Sequence, residues 1–195
     1  MKIELSVGIA MRIETRKRCL LARETLAGDE VARRSAFLTE HLLRAFPRPP
    51  GERVAFYWPM RNEPDVRQAI HVWLKMGVTA ALPVVRGQSL VFRVWQPDSM
   101  LLPDAKGVPA PRDDAPEVIP DALLIPLNAF DALGFRLGYG GGFFDRALAA
   151  MTAKAARPLA IGIGFELGRV DDVEPQPHDQ PMDWLITEAG FWRVA

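Results

Sequence analysis

The residues best suited to chemistry lie in one short block, Arg136-Leu137-Gly138-Tyr139-Gly140-Gly141-Gly142-Phe143-Phe144-Asp145-Arg146. Four of the five residues from Gly138 to Gly142 are glycine. Backbone without Cβ atoms can turn its N–H groups toward an anion and approach it closely. The block follows a strand-like run, Asp121–Pro126, and opens a helix-like run from Gly142 to about Lys154. The start of that helix adds partial positive charge. Arg136 and Arg146 flank the glycines and can clamp phosphate oxygens. Asp145 sits one turn into the helix, where a carboxylate beside phosphates suits a magnesium ion. The glycines alone allow a plainer reading, a tight turn that lets helix and sheet pack closely. Their spacing matches neither the P-loop nor the dinucleotide fingerprint. The two arginines and the aspartate favour phosphate.

These residues need a scaffold, and the pattern around them supplies one. Arg12 to Phe46 is charged with apolar residues at helical spacing, which predicts two helices broken near Gly28. Val54–Trp58 reads as a buried strand, and Pro64 opens a helix running to about Met76. Ala80–Val85 and Leu90–Trp95 are further strands, followed by a long Pro- and Asp-rich loop from Pro97 to Pro120. Leu159–Ile163 and Trp184–Thr187 complete the strands. Residues 1–11 are expected to be an extra N-terminal strand or a flexible leader. The alternation of strands and helices predicts one α/β domain over residues 1–195, with three layers and a mixed, mainly parallel sheet flanked by helices.

The composition narrows the function classes. At 195 residues and 49% hydrophobic, the chain is long and apolar enough for a folded core. No apolar run is long enough to span a bilayer. Lys+Arg, 24 in all, equal Asp+Glu, also 24, so charge suggests neither nucleic acid nor a membrane surface as partner. A single cysteine, Cys19, permits no internal disulfide and no cysteine zinc site, and a cytoplasmic setting is expected. The three histidines, His41, His71 and His178, are too scattered for metal-ligand spacing and read as structural or solvent-facing.

The central block, with Pro126, Ala129-Phe130-Asp131 and Gly134 before it, strongly resembles the 5-formyltetrahydrofolate cyclo-ligase family. The likeness runs from about Arg12 to Gly190 and is looser outside the block. It implies a fold like that of sugar-phosphate isomerases and CoA transferases. It also implies an enzyme that uses ATP and Mg²⁺ to convert 5-formyltetrahydrofolate, with or without a polyglutamate tail, to 5,10-methenyltetrahydrofolate, with no obligate protein partner. By that resemblance Arg136 and Asp145 are catalytic. Arg12, Arg16, Arg136, Gly138, Tyr139, Gly140, Gly141, Gly142, Phe143, Phe144 and Arg146 bind ATP. Trp58, Glu63 and Phe144 bind folate, and Asp145 with Asp179 holds the metal.

Each role has a structural alternative in the sequence. Arg12 and Arg16, four apart, share a helix face that can reach phosphate or simply face solvent. Glu63 can accept pterin N–H bonds or act as a helix-start acid, and Trp58 can wall a flat ring or belong to the core. Asp179 can hold a metal or start a turn, while Asp183 reads as structural. The chain departs from the family pattern in three places: Arg12 replaces a lysine, Phe143 and Phe144 lack the usual tyrosine hydroxyl, and Gly168 stands where a glutamine often does. These departures leave two further readings open, a non-catalytic folate or nucleotide binder and a sugar-phosphate isomerase on the same fold.

Overall fold

A computed structural model describes residues 2–154 and 157–194. Helices α1 (Lys2–Glu24) and α2 (Gly28–Ala45) come first, then β1 (Arg53–Ala55), α3 (Arg67–Leu74), β2 (Thr79–Arg86) and β3 (Ser89–Val94). Short strands β4 (Leu101–Pro103), β5 (Pro109–Pro111) and β6 (Glu117–Val118) lead to β7 (Ala122–Pro126). A small hairpin, β8 (Ala129–Phe130) and β9 (Arg136–Leu137), precedes α4 (Phe143–Lys154). Strands β10 (Leu159–Ile163), β11 (Trp184–Thr187) and β12 (Gly190–Arg193) close the chain.

Eight strands form one sheet in the order β12-β11-β10-β7-β1-β2-β3-β6. The five central strands, β11 to β2, run parallel, and β12, β3 and β6 are antiparallel additions at the edges. The expected mixed, mainly parallel sheet is therefore present. Residue alternation along the strands sends side chains to two faces. Val54, Ala80, Leu82, Leu124 and Ile161 pack with Leu38, Leu42, Ile70 and Trp73 of α2 and α3. Ala55, Ala81, Leu123, Ile125 and Leu185 pack with Ala147 and Leu148 of α4. These two apolar clusters make the three layers.

The chain order creates a crevice. From β1 it moves through α3 to β2 on one side, and from β7 through α4 to β10 on the other. Neighbouring β1 and β7 thus diverge at their C-terminal ends, the place where open α/β sheets bind ligands.

Several expectations change. Residues 2–11 continue α1 as helix instead of forming a strand; the segment contains no proline to prevent it. β1 is shorter than expected and stops at Ala55, with the Phe56 N–H making one more bond to the Ala81 carbonyl (3.0 Å). α3 begins at Arg67 instead of Pro64: the Pro64 carbonyl accepts the Tyr57 hydroxyl (2.6 Å), and Asp65 takes the Arg67 N–H (3.0 Å). The 97–120 loop contains β4, β5 and β6, its hairpin turned by Asp104, which accepts the N–H groups of Lys106 and Val108 (2.8 and 3.0 Å). Strand β12 was not expected, and it pairs with β11 through a four-residue register ending at Thr187 and Gly190.

Leu124 lies at the centre of this sheet and is 1% exposed. Leu124→Ala is expected to lower unfolding free energy by about 2–5 kcal/mol. Ile119→Ala, at an exposed site, should change it by less than about 0.5 kcal/mol. Denaturant midpoints of the two variants check both values.

Candidate active site

The site lies over the β1/β7 crevice and is assembled from four segments. Helix α1 crosses it with Arg12, Arg16, Cys19 and Arg23, whose spacing places them along one helix face. The loop after β1 supplies Trp58 to Glu63. The loop after β7 supplies Asn128 and, beyond the β8–β9 hairpin, the glycines. The segment before β11 supplies Asp179 and Gln180.

Helix α1 is anchored mainly by polar bonds. Arg12 Nη1 meets Asp179 Oδ2 at 2.8 Å and donates to the carbonyls of Val173 and Glu174 (3.2 and 2.6 Å). Arg16 Nε donates to the Gly138 carbonyl at 2.8 Å, and the Asn128 amide donates back to the Arg16 carbonyl at 2.8 Å. Burial, and after it the neighbouring Arg12 charge, lowers the Arg16 pKa. The apolar part of the seam is small: Cys19 packs with Ala129, Leu137 and Val173. Burial pushes the Cys19 thiol up, which disfavours a reactive thiolate.

Arg23 is the deepest contact, only 2% exposed. It donates to the carbonyls of Arg61 (3.1 Å) and Leu127 (3.4 Å) and to the Tyr139 hydroxyl (2.6 Å). That hydroxyl donates to Glu63 Oε1 at 2.9 Å. The other carboxylate oxygen, Oε2, accepts the Met60 N–H at 3.0 Å. Burial raises the Glu63 pKa, opposed by the Met60 N–H, the Arg23 charge and the Tyr139 hydroxyl. The supporting turn uses left-handed backbone at Arg61 and Asn62 (φ 49° and 58°). The Asn62 amide donates to the carbonyls of Arg23, Glu24 and Leu26, closing the end of α1. Glu63 is therefore not a helix-start acid: α3 begins four residues later, and the carboxylate points inward.

The glycine block borders an open cleft of ≈ 290 Å³, lined by Gly140, Gly141, Gly142, Asp145, Arg146, Ala149, His178 and Gln180. Gly140 and Gly142 have positive φ (96° and 62°), which a side chain would strain. Asp145 Oδ1 accepts the Gln180 N–H (3.0 Å) and pairs with Arg136 at 3.1 Å. Asp179 Oδ2 accepts the Gln176 N–H (2.8 Å) as well as Arg12. Among the described residues, Oδ2 of Asp145 and Oδ1 of Asp179 accept no hydrogen bond, although His178 Nε2 stands 3.7 Å from the latter. No group of three or more His, Cys, Asp or Glu residues among the described residues forms a metal cluster. Two carboxylates suit Mg²⁺, which retains water and binds through one or two protein oxygens.

The predicted residues divide by place. Gly140, Gly141, Gly142, Asp145 and Arg146 line the cleft together. Arg136 lies beneath it, 6% exposed, tied to Asp145 and to the Gln180 carbonyl (2.9 Å), so it braces Asp145 from below. Arg146 donates to the Gln88 carbonyl (2.8 Å) and stacks on the Phe143 ring. Phe144 packs on the α4 core. Trp58 lies under the Arg67 guanidinium (4.7 Å to the ring centre) and edge-on to Trp95. Asp183 is structural, binding Arg157 and the Ala160 N–H. Sequence reasoning assigned no role to Arg23, Arg61, Asn128 or Gln180. Arg23 continues the spacing of Arg12 and Arg16, a signal that was present. His178, read as structural or solvent-facing, is exposed and borders the cleft.

Comparisons with known proteins give the family and the fold. A mainly parallel sheet flanked by helices, with a glycine-rich loop and helix start beyond β7, defines an α/β protein. The model of the 5-formyltetrahydrofolate cyclo-ligase family matches residues 9–188, and the chain belongs to that family. The 5-formyltetrahydrofolate cyclo-ligase of Escherichia coli K12 is 30% identical over 146 residues, covering 71% of this chain and 79% of that protein. The enzyme of the same name from Haemophilus influenzae is 28% identical, covering 88% and 93%. The structure of Aquifex aeolicus 5,10-methenyltetrahydrofolate synthetase superposes with a TM-score of 0.79 at 27% identity, covering 94% of this chain and 93% of that one. A Mycoplasma pneumoniae synthetase shares the fold with a TM-score of 0.73 at 23% identity, covering 91% and 98%.

Gly168, one of the departures from the family pattern, has a geometric reason. A Cβ there would stand 2.6 Å from the Asn128 carbonyl oxygen, on the residue that holds α1 through Arg16. Gly168→Ala is expected to cost about 1–3 kcal/mol of stability, measured by denaturant unfolding. An unchanged midpoint would show that the contact yields freely.

Proposed function

We propose that this protein catalyses the ATP- and Mg²⁺-dependent conversion of 5-formyltetrahydrofolate to 5,10-methenyltetrahydrofolate, releasing ADP and phosphate, in the cytoplasm. The observation that carries the reading is the meeting of the glycine block and the Glu63 loop over one crevice, linked through Tyr139 and Glu63. Membership in the cyclo-ligase family supplies the chemical class.

The chemistry requires two substrates side by side. A formamide oxygen is a poor leaving group. Attack of that oxygen on the γ-phosphorus of ATP expels ADP and turns the oxygen into a phosphate ester. Folate N10 then bonds to the activated carbon and loses its proton. Departure of phosphate leaves the cyclic methenyl product. The protein's share is positioning and charge neutralisation.

The residues fit that division. The cleft of ≈ 290 Å³ is at the small end for a ligand pocket, which suits a phosphate tail better than a whole nucleotide and folate together. Gly140, Gly141 and Gly142 offer close backbone approach, and Arg146 lies at the exposed rim. Arg12 and Arg16, like charges on one helix face, favour an anion between them and the glycines. Asp145 and Asp179 would hold Mg²⁺ through their remaining oxygens, and the ion would neutralise phosphate charge. Arg136 positions Asp145 and does not reach the cleft itself. Glu63 accepts pterin N–H groups, and Trp58 offers a half-buried ring beside it.

The first test is near-ultraviolet absorbance with purified protein, 5-formyltetrahydrofolate and MgATP, against a control lacking ATP. Growth of the methenyl band only with ATP is expected. A folded protein that binds ATP and produces no band would refute the assignment. Asp145→Asn keeps an oxygen for the Gln180 N–H and removes the charge. It should lower kcat by roughly 10²-fold or more with an unchanged circular dichroism spectrum. Normal turnover would remove Asp145 from the chemistry.

A further inference from the structure

The Arg23–Tyr139–Glu63 chain joins the two halves of the site through one phenol. Tyr139 belongs to the glycine block, whereas Glu63 belongs to the loop after β1. Arg23 Nη2 stands 3.9 Å from Glu63 Oε1, beyond hydrogen-bond reach, and the Tyr139 hydroxyl fills the gap. A hydroxyl accepts one bond and donates another, so it satisfies a buried cation and a buried carboxylate together. Tyr139 lies on the glycine block, and its acceptor Glu63 lies on the other side of the crevice.

We propose that Tyr139 and Arg23 are positioning residues that hold the Glu63 carboxylate charged and aimed at the folate ring, so that the phosphate-binding loop and the folate-binding carboxylate act as one hydrogen-bonded unit. The inference rests on the reading of Glu63 as a folate contact. Glu63 is 5% exposed, and burial disfavours its charged form. The groups that oppose this are the Met60 N–H beside it, Arg23 from α1, Tyr139 from the glycine block and Arg61 from its own loop. Tyr57, from the end of β1, is a further neighbour whose hydroxyl is bound to the Pro64 carbonyl, and Asp65 adds a negative charge near Tyr57. Arg61 is drawn outward by an ion pair with Glu24 (2.5 Å) and stacks on the Tyr139 ring. Arg23 is therefore the cation placed to act on the carboxylate, and the phenol is the atom that transmits it. The Tyr139 ring is 48% exposed while its hydroxyl reaches inward, so its value lies in the hydrogen bond more than in packing.

The test is the pH dependence of kcat/KM for 5-formyltetrahydrofolate at saturating MgATP. An ionised Glu63 makes the wild-type value fall on the acid side as the carboxyl takes a proton. Tyr139→Phe removes only the hydroxyl. It should move this limb upward by roughly one pH unit and lower kcat/KM about ten-fold at mildly acid pH, mainly through KM. Arg23→Gln should move the limb in the same direction and further, and Arg23→Lys should return it toward the wild-type position. Should Arg23→Gln not fold, Tyr139→Phe carries the test alone, since it leaves the ring in place. Glu63→Gln should raise KM and abolish the limb. A wild-type limb and KM in Tyr139→Phe, alongside a damaged Glu63→Gln, would overturn the relay and leave the folate reading intact. A Glu63→Gln variant with normal KM and normal pH dependence would overturn the folate reading and the relay with it.

Discussion

A buried guanidinium has five donors to satisfy and no water to satisfy them, and the organisation of this site follows from how Arg23 meets that demand. Its partners are two carbonyls at the ends of separate loops, Arg61 and Leu127, and a phenol from the glycine block. Three segments distant in sequence are thereby pinned to one side chain of α1. Arg12 and Arg16 repeat the arrangement higher on the helix, with Asp179 and the Gly138 carbonyl as partners. Among the described residues, only Cys19 adds a buried apolar contact to this face. A helix docked by charge and hydrogen bonds keeps its polar face toward the crevice, where an anionic ligand would also be received.

The sheet explains why these partners meet. β1 and β7 are neighbours whose connections depart in opposite directions, one through α3 and the other through α4. Each face of the sheet is sealed by its own apolar cluster. The C-terminal edge is left for loops, and α1 crosses it as a cover. At that edge the Asn128 side-chain amide donates to the Arg16 carbonyl and the Gly138 carbonyl accepts the Arg16 guanidinium, so both loops are tied to α1. The scaffold is apolar and the edge polar, a division that lets the edge change its chemistry without repacking the core.

The departures from the family pattern acquire physical content at this edge. Arg12, in place of a lysine, uses one nitrogen on Asp179 and two carbonyls and so ties the Asp179 loop to α1. Gly168 is required by the approach of Asn128. Phe143 and Phe144 split their work: the first stacks under Arg146 and the second packs into the α4 core. The phenol of the block, Tyr139, bonds across the crevice to Glu63.

Local pattern was enough for much of the fold. The run from Asp121 to Pro126, the glycine block and the helix after it were legible because periodicity and glycine content are properties of neighbouring residues. So were the break near Gly28, the strands at 159–163 and 184–187, and the mixed, mainly parallel sheet. The strand at 190–193 was not, because its pairing with β11 is a partner effect that four residues do not announce. The start of α3 was shifted by Tyr57 and Asp65 competing for backbone groups, again a contact and not a propensity. At the site, the sequence by itself determined which residue types were available: glycines for close approach, arginines for anions, and two aspartates with a glutamate for cations and N–H groups. Tertiary structure alone decided their roles. It buried Arg136 beneath Asp145, turned Glu63 inward to Tyr139 and made Arg23 the hub. The reason is that a charged side chain's role depends on its burial and its partners, and both are set by segments far away along the chain.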